Sequence, residues 1–277
     1  MRDKCPICSN KLELMFTGLV LNKYECSYFK CEYCGFVQTE EPYWLEEAYS
    51  LAIANTDIGL VSRNIYNSTL LERIILQNFS PNATFLDYAG GYGMLVRMMR
   101  DIGFNFYRQD RYCENLFAVG FDVEDTIISQ FELLSAFEVF EHLVNPVQDL
   151  RNMFKFSDNI LFSTELIPNC RIQSQSEWWY FAPHSGQHIS FYTSKSLQLL
   201  ADINKCYYYS DNISLHMFTK KKLKNDPFSI SAFSILYRIL PFMTRVLKKY
   251  YRKKKGLIRT SFLNDDFSNI LKDNRVV

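Results

Sequence analysis

The chain has 277 residues, of which 48% are hydrophobic and 22% are charged, and its formal net charge is +1. Its length fits one large domain or a domain with a small module, and its composition is typical of a soluble globular protein; the charge gives no global reason to expect nucleic acid. The N-terminus lacks the apolar core of a signal peptide and no run of about 18 uncharged apolar residues follows, so we expect a cytoplasmic protein without a membrane span.

Two C-x2-C pairs open the chain: Cys5 and Cys8, then Cys31 and Cys34. Each pair places two thiolates on one side of a tight loop, and two such loops complete the tetrahedral shell of a structural Zn²⁺. The 22 residues between the pairs suit a β-hairpin, so we predict a zinc ribbon over residues 1–40, stabilised by its metal. Cys26 is a spare ligand candidate with a less suitable spacing. Four free or buried cysteines are the alternative.

Residues 41–80 are predicted to be a helical connector. Apolar residues recur three or four positions apart in residues 43–54 and again in residues 62–79, which is the spacing of amphipathic helices. The run Ser80-Pro81-Asn82 ends the second helix.

From residue 83 onward, short apolar strands alternate with helical segments. Strands are predicted at 84–89, 104–109, 131–137 and 159–166, and helices at 92–103, 145–156 and 194–203. This alternation predicts an α/β fold, in which helices cover both faces of a parallel sheet. Residues 205–211 and 212–218 form a predicted closing hairpin, which makes the last strand antiparallel. A long irregular stretch precedes residue 193.

The segment TFLDYAGGYGM runs from a predicted strand into a glycine turn. A dinucleotide-binding fold would show G-x-G-x-x-G here, whereas this turn reads D-x-A-G-G-x-G. It resembles the D/E-x-G-x-G-x-G turn of class I S-adenosylmethionine (SAM) methyltransferases. Asp110, which lies 23 residues after Asp87, and the E-H pair in LSAFEVFEHLVNP extend the resemblance over about residues 60–220. It implies a Rossmann-like, seven-stranded methyltransferase sheet over residues 81–222, with SAM as the cofactor.

The resemblance also implies roles for individual residues. Asp87 would anchor the turn and the amino end of the methionine, and Asp110 would bind both ribose hydroxyls. Gly91 and Gly93 would leave room for SAM, because a Cβ atom would intrude there. Ala89 takes the place of the family's first glycine, where a methyl group is tolerated. Further cofactor contacts are implied at Gly90, Arg111, Phe137 and Glu138.

The third strand of the family's sheet has only a weak counterpart in this sequence. In the family, the end of that strand often carries an acid that contacts adenine. Three acidic residues of the segment FDVEDT are alternatives for this role: Asp122, Glu124 and Asp125.

Histidine is the usual base for a hydroxyl or carbon-acid acceptor, because its pKa lies near neutrality. His142 follows Glu141 at the carboxyl end of a predicted strand, where open α/β sheets bind ligands. His184 and His188 lie in the irregular stretch between the predicted strand 159–166 and residue 193. These three histidines are the catalytic candidates, although a structural hydrogen bond is the commoner role of a single histidine. His216, within the last strand, is predicted to be packed.

The segment GQHISFYT is similar to a stretch of bacterial methyltransferases of polysaccharide and deoxysugar pathways, some of which share the N-terminal zinc module. The resemblance implies an acceptor sugar in a nucleotide sugar, a polysaccharide or a lipid-linked glycan, with His188 as the matching histidine. Gln187 stands where a glutamate is often found, and C-methylating members carry a long additional domain, so methylation at carbon is not implied. Three aromatic residues could stack on a sugar or anchor the loop in the core: Trp178, Trp179 and Tyr180.

Residues 223–277 form a predicted basic, amphipathic helical tail. An apolar stretch that contains two arginines and a proline runs into six basic residues between Lys248 and Lys255. The tail is therefore either an interfacial helix at an anionic membrane or the solvated basic face of a helix packed over the active site. The cluster at 248–255 is too short to favour RNA.

The function predicted from the sequence is methyl transfer from SAM to a small-molecule or glycan acceptor. Two alternatives remain at this point. One is a SAM-dependent RNA methyltransferase that grips RNA with the ribbon and the tail. The other is a non-catalytic interaction module built on the same fold.

Overall fold

This computed structural model of the protein describes residues 3–50, 58–229, 241–258, 261–262 and 265–266. Three strands begin it: β1 (Leu12–Val20), β2 (Tyr24–Cys31) and β3 (Val37–Thr39). They pair antiparallel in chain order. Inward-facing aromatic residues of β1 and β2 meet in a small core, where the rings of Phe16 and Tyr28 lie 4.6 Å apart. The predicted β-hairpin between the two cysteine pairs is therefore present.

Two helices follow these strands: α1 (Leu45–Ala48) and α2 (Leu60–Asn78). The first predicted helix is thus much shorter than residues 43–54, and its residues 51–54 lie outside the described part. The predicted second helix is confirmed, and it buries Leu71, Ile74 and Ile75 against the main core.

Strands and helices alternate from residue 84, as predicted. In chain order the elements are β4 (Thr84–Tyr88), α3 (Met94–Asp101), β5 (Asn105–Gln109), β6 (Leu133–Ala136), α4 (Pro146–Met153), β7 (Asn159–Ser163), β8 (Ser190–Phe191), α5 (Ser194–Ile203), β9 (Tyr207–Ser210) and β10 (Leu215–Thr219).

The main sheet has the order β5-β4-β6-β7-β10-β9. The four strands β4 to β7 are parallel, and β10 runs antiparallel to both β7 and β9, so the predicted reversed last strand is confirmed. The chain moves from β4 outward to β5 and then returns to β6 on the other side of β4. In open α/β sheets, ligands bind at the carboxyl ends of the strands beside such a reversal of strand order.

The main sheet contains six strands among the described residues, not the seven implied by the family resemblance. Where the outer strand beside β5 would lie, Asp122 forms only a single parallel bridge with Arg108. Asp122 then caps a 3₁₀ turn, Val123–Asp125, through reciprocal hydrogen bonds with Asp125. Since the chain turns away immediately after the bridge, a paired strand cannot extend there.

Strand β8 joins the N-terminal strands rather than the main sheet, because it pairs antiparallel with β3. The partners are Val37 with Phe191 and Gln38 with Ser190. The long stretch predicted to be irregular therefore contributes the fourth strand of the N-terminal sheet. As a result, that sheet extends beyond residues 1–40 and touches the loop that carries His188.

The last described helix is α6 (Pro241–Lys254). Its Arg252 donates a 2.6 Å hydrogen bond to Glu72 of α2, and Gly256 accepts one from Asn82, which precedes β4. This end of the tail therefore lies at the amino ends of the strands, away from the predicted active site. The predicted alternative of a helix packed over that site is wrong for α6. Residues 230–240 of the predicted tail lie outside the described part. Each helix in the described part of the chain is either too short or too polar to span a bilayer.

Candidate functional site

The glycine turn after β4 is built from residues with left-handed backbone. Ala89, Gly91 and Gly93 have φ of 54°, 54° and 84°. A Cβ atom on Gly93 would lie 2.9 Å from the Cβ of Ala118, and one on Gly90 would lie 2.8 Å from Oδ2 of Asp87. The glycines are thus needed for backbone conformation and for packing against protein atoms. From the sequence, Gly91 and Gly93 are expected for a different reason, namely to leave room for SAM.

Asp110, which follows β5, holds the turn from the side. Its Oδ2 accepts from the amide of Gly91 at 2.9 Å, and its Oδ1 accepts from the amides of Tyr112 and Cys113 at 2.8 Å. An ionised carboxylate has about four lone-pair positions. Three are used here, so Asp110 can still accept from a ligand hydroxyl such as that of a ribose.

Asp87 is the buried acid at the end of β4, and its side chain is only 4% exposed. Burial raises its pKa to about 7, while the hydroxyl of Ser135, which donates at 2.6 Å, opposes that rise. The neighbouring Arg108 does not pair with Asp87, because its guanidinium donates to Asp122 and to the carbonyls of Gly91 and Cys113. Ionised Asp87 therefore suits a ligand that brings a positive charge, as the amino group of SAM does.

A second group of polar residues follows β6. Glu141 and His142 lie on a 3₁₀ turn, Phe140–His142, and His188 lies just before β8. One potential ligand atom from each of the three residues lies within 4.8 Å of the others. Two histidines that are 46 positions apart in sequence thus meet at one carboxylate.

Both histidines use Nδ1 for a backbone carbonyl. Nδ1 of His142 lies 3.0 Å from the carbonyl oxygen of Gln187, and Nδ1 of His188 lies 2.7 Å from that of Tyr180. A carbonyl oxygen only accepts hydrogen bonds, so each Nδ1 carries the proton and each Nε2 keeps a free lone pair. Burial lowers the pKa of His142 to about 3 and that of His188 to about 4. Both rings are therefore neutral near pH 7.

Glu141 is fully buried, and within the described part of the chain neither of its carboxylate oxygens has a hydrogen-bond partner. Burial, with a smaller contribution from the charge of Glu138, raises its pKa well above the usual range. The nearby hydroxyls of Tyr180 and Thr164, which pair with each other at 3.5 Å, oppose that rise. An unpaired buried carboxylate is costly, by several kcal/mol after relaxation. Such a group calls for a proton, a cation or a ligand.

A short chain of contacts links the two groups. Tyr112, whose amide donates to Asp110, stacks on Tyr49 with ring centroids 5.5 Å apart. The hydroxyl of Tyr49 lies 2.9 Å from Nδ1 of His142. Tyr49, just after α1, therefore spans the space between the turn after β5 and the histidines. Sequence reasoning missed this residue, because nothing in the helical pattern of residues 43–54 marks one tyrosine as special.

The remaining predicted residues fall into three groups. Phe137 and Glu138 directly follow β6, and Glu138 accepts a 2.7 Å hydrogen bond from Ser163. Arg111 and His184 are exposed. His216 is buried in β10, where Nε2 lies 3.0 Å from the carbonyl oxygen of Thr164, so it is packed as predicted.

The structure also bears on the candidates for the acid that contacts adenine and for the aromatic residue that stacks on a sugar. Asp122 is held by Arg108 and Asn115, while Glu124 and Asp125 are exposed. Trp178 and Tyr180 are buried in the core beside β8, whereas Trp179 is 72% exposed. Only Trp179 of the three neighbouring aromatic residues therefore remains available to stack on a ligand.

Gln187 does not enter the site as an acid would. Its side chain donates a 2.8 Å hydrogen bond to the carbonyl of Ala48 and so ties the loop to α1. The carboxylate next to His188 is that of Glu141. The signal in the sequence was Glu141, one of two glutamates in the segment FEVFEHL, but the sequence does not show that it faces inward.

The four N-terminal cysteines converge at one end of their sheet. Their Sγ atoms lie 3.4 Å apart for Cys8 and Cys31, 3.6 Å for Cys8 and Cys34, and 3.7 Å for Cys5 and Cys34. These separations exceed a disulfide bond of about 2.05 Å. They approach the edge of about 3.8 Å expected for a tetrahedron with Zn–S bonds of about 2.3 Å. Cys26 is buried among aromatic residues elsewhere, so four thiols could hold one Zn²⁺ and the spare candidate does not contribute.

Comparison with solved structures gives resemblances at low identity. The SAH-bound structure of CalO1, a methyltransferase in calicheamicin biosynthesis, is 16% identical and has a TM-score of 0.40 over 65% of this chain and 60% of that one. The Burkholderia thailandensis 1,6-didemethyltoxoflavin-N1-methyltransferase, with its substrate and S-adenosylhomocysteine, is 10% identical and has a TM-score of 0.46 over 73% of this chain and 96% of that one. Such identities say nothing about the acceptor of this chain.

A family-level match is more informative. No curated protein sequence matches the chain. A profile of the family described as "Methyltransferase domain" matches residues 63–204, which is about half of the chain and includes β4 to β8. The chain spans about 60% of the length of the first solved structures that it resembles. It belongs to this methyltransferase family.

Proposed function

We propose that the protein methylates a sugar-type acceptor, as part of a nucleotide sugar, a polysaccharide or a lipid-linked glycan. The observation that carries this proposal is the group of buried Glu141 and partly buried His142 and His188 at the carboxyl ends of the strands. Contacts through Tyr49 and Tyr112 link it to Asp110, which holds the turn proposed to bind SAM. A polar, proton-accepting subsite of this kind suits a hydroxyl acceptor.

The SAM subsite is proposed to consist of the turn after β4 and Asp110. Ionised Asp87 would attract the amino group of the methionine, and Asp110 would accept from the ribose hydroxyls. Further contacts are proposed for Ala89, Gly90, Gly91, Gly93, Arg111, Phe137 and Glu138. The positions of these residues around the carboxyl ends of β4, β5 and β6 support the proposal.

The chemistry follows from the sulfonium methyl group that SAM supplies. An acceptor oxygen attacks the methyl carbon in line, its lone pair forms the C–O bond, and the electron pair of the C–S bond returns to sulfur. The acceptor loses its hydroxyl proton. Acting as a base, Nε2 of His188 or His142 would take it, because these atoms have free lone pairs. His184, which is exposed, is the weakest of the three candidates.

Two further assignments accompany this function. The four N-terminal thiols are proposed to bind a structural Zn²⁺, since four thiolates leave no open position for a substrate. The exposed lysines at the end of α6, Lys253, Lys254 and Lys255, are proposed to contact an anionic membrane surface, which suits a lipid-linked acceptor. Sedimentation with anionic and with neutral vesicles tests the second assignment, and equal binding to both would contradict it.

The test of the proposed function is transfer of a labelled methyl group from SAM to three acceptor pools side by side: nucleotide sugars, a glycolipid extract and RNA. We expect label in a sugar-containing pool and none in RNA. Label in RNA alone would replace the sugar by RNA as the acceptor. Tight SAM binding without transfer to any pool would favour a non-catalytic module.

A further inference from the structure

The group of Glu141, His142 and His188 has an unusual hydrogen-bond inventory. The carboxylate oxygens of Glu141 only accept when ionised, and Nε2 of each histidine also only accepts. When Glu141 is ionised, three acceptors thus lie within 4.8 Å of one another with no proton donor among them, so the group needs a proton or a cation. In the described part of the chain, Glu141 has no hydrogen-bond partner that would offset this arrangement.

We propose that Glu141, His142 and His188 bind a divalent cation through the carboxylate and the two Nε2 atoms. This site is separate from the four-thiol site in both position and chemistry. Two imidazoles and one carboxylate suit borderline transition metals such as Zn²⁺, Fe²⁺ and Mn²⁺. The cation would supply the positive charge that the buried carboxylate lacks.

The surroundings of the two histidines match those of metal ligands. A metal-bound histidine almost always donates its other ring N–H to a carbonyl or a carboxylate, which fixes the tautomer and the ring orientation. His142 does so to the carbonyl of Gln187, and His188 does so to that of Tyr180. Gln187 is itself held by the carbonyl of Ala48, so one of the two carbonyls is also fixed in place.

Three protein ligands leave at least one coordination position open, unlike four thiolates. On the proposed function, the open position would hold an acceptor oxygen and lower the pKa of its hydroxyl, so that the oxygen is poised for methyl transfer while its proton leaves to water. His142 and His188 would then be ligands and positioning residues rather than bases.

Mn²⁺ is a suitable probe, because it prefers oxygen and nitrogen ligands to the thiolates of the other site. The sample would be SAM-binding protein that carries Zn²⁺ at the four-thiol site and no other metal. It would be titrated with Mn²⁺ by calorimetry and by electron paramagnetic resonance. We expect one Mn²⁺ per chain. We expect Glu141→Gln and His188→Ala to weaken its binding on the order of 100-fold or more, since each removes a direct ligand.

His184→Ala is the matched control, because it removes an exposed histidine from the same loop without touching the three ligands. This variant should keep the Mn²⁺ affinity of the wild type. Circular dichroism would establish that Glu141→Gln, which preserves the shape of the side chain, is folded. In folded protein, Mn²⁺ should raise the Tm of the wild type and of His184→Ala but not that of Glu141→Gln.

The inference is overturned if folded wild-type protein binds no Mn²⁺, or if Glu141→Gln binds it as tightly as the wild type does. SAM affinity measured on the same samples separates the two proposals. Intact SAM binding without Mn²⁺ binding would remove the cation site alone. Mn²⁺ binding without methyl transfer to any acceptor would remove the proposed function and leave the cation site standing.

Discussion

Asp87 combines burial with a position at the end of the central strand, and this combination makes its charge sensitive to pH. Its folded-state pKa of about 7 lies above the value of 3.8 for a free aspartate. A raised carboxyl pKa means that the folded chain binds a proton more tightly than the unfolded chain does. The contribution of this group to stability is therefore present below about pH 4 and is lost as the pH rises to about 7.

SAM binding should show the opposite trend, because the ionised form of Asp87 attracts the amino group of the methionine. With a pKa of about 7, only about a tenth of the carboxyl is ionised at pH 6. We predict that SAM binds about tenfold more weakly at pH 6 than at pH 8. Calorimetry at the two pH values measures this ratio. Asp87→Asn should bind weakly and equally at both, and a wild-type affinity that does not change with pH would contradict the assignment.

Ala89 carries the left-handed backbone that the family's turn gives to a glycine, with φ of 54°. That conformation costs a residue with a Cβ atom about 1–2 kcal/mol, and a glycine adds about 0.5–1 kcal/mol of entropy to the unfolded chain. The first term is larger, so Ala89→Gly should raise the free energy of unfolding by about 0.5–1 kcal/mol. Urea denaturation measures the change, and a clear loss of stability would show that the methyl group makes a necessary contact.

At the scale of the element, the N-terminal sheet joins the cysteine group to the loop of the candidate site. β8 pairs with β3, and His188 lies two residues before β8. We predict that Cys31→Ser removes one Zn²⁺ and speeds amide exchange in β1 to β3 and in β8. Methyl transfer should fall at least about tenfold, because the loop loses its attachment, while SAM affinity changes little.

Cys26→Ala is the control for this prediction, because Cys26 is buried in the same sheet but away from the four thiols. Metal content by elemental analysis and exchange by mass spectrometry are the two readouts. If Cys31→Ser kept its Zn²⁺, or if Cys26→Ala lost it, the four-thiol site would be wrong.

Much of the fold could be predicted from the sequence. Apart from β8, the helices and strands between residues 60 and 219 followed from apolar periodicity, because each is long enough to show its repeat. β8 could not be predicted, since a strand of two residues has no periodicity and its partner lies about 150 residues away. The prediction of a seventh strand is not met, because the family pattern assigned a strand to a segment that forms a single bridge and a 3₁₀ turn.

The candidate site was predictable at the level of residue type. The glycine turn, Asp110 and the histidines are all marked by motifs with local spacing. Tyr49 and the inward position of Glu141 depend on how distant segments meet, and local spacing does not report such contacts. Gln187 stands where the family resemblance often has a glutamate, whereas the carboxylate beside His188 is that of Glu141, from another segment.

At the scale of the whole molecule, the two ends of the main sheet differ in chemistry. The carboxyl ends of the strands carry the glycine turn, Asp110 and the group of Glu141, His142 and His188. The amino ends carry the attachment of α6, through the pairs Arg252 with Glu72 and Gly256 with Asn82. The basic tail is thus anchored away from the candidate functional site. Its exposed lysines can therefore contact a membrane surface without covering that site.

The central claim is that the turn after β4 and Asp110 form the SAM site, and titration calorimetry with SAM tests it most directly. Asp110→Ala removes the acceptor for a ribose hydroxyl and should weaken SAM binding about 10- to 100-fold, the effect of one lost hydrogen bond to a charged group. Asp110→Asn checks that the loss is not simply one of turn structure, and it should also bind weakly. Asp101→Ala, an exposed aspartate paired with Arg97 at the end of α3, should bind as the wild type does. Unchanged SAM affinity in folded Asp110→Ala would contradict the account.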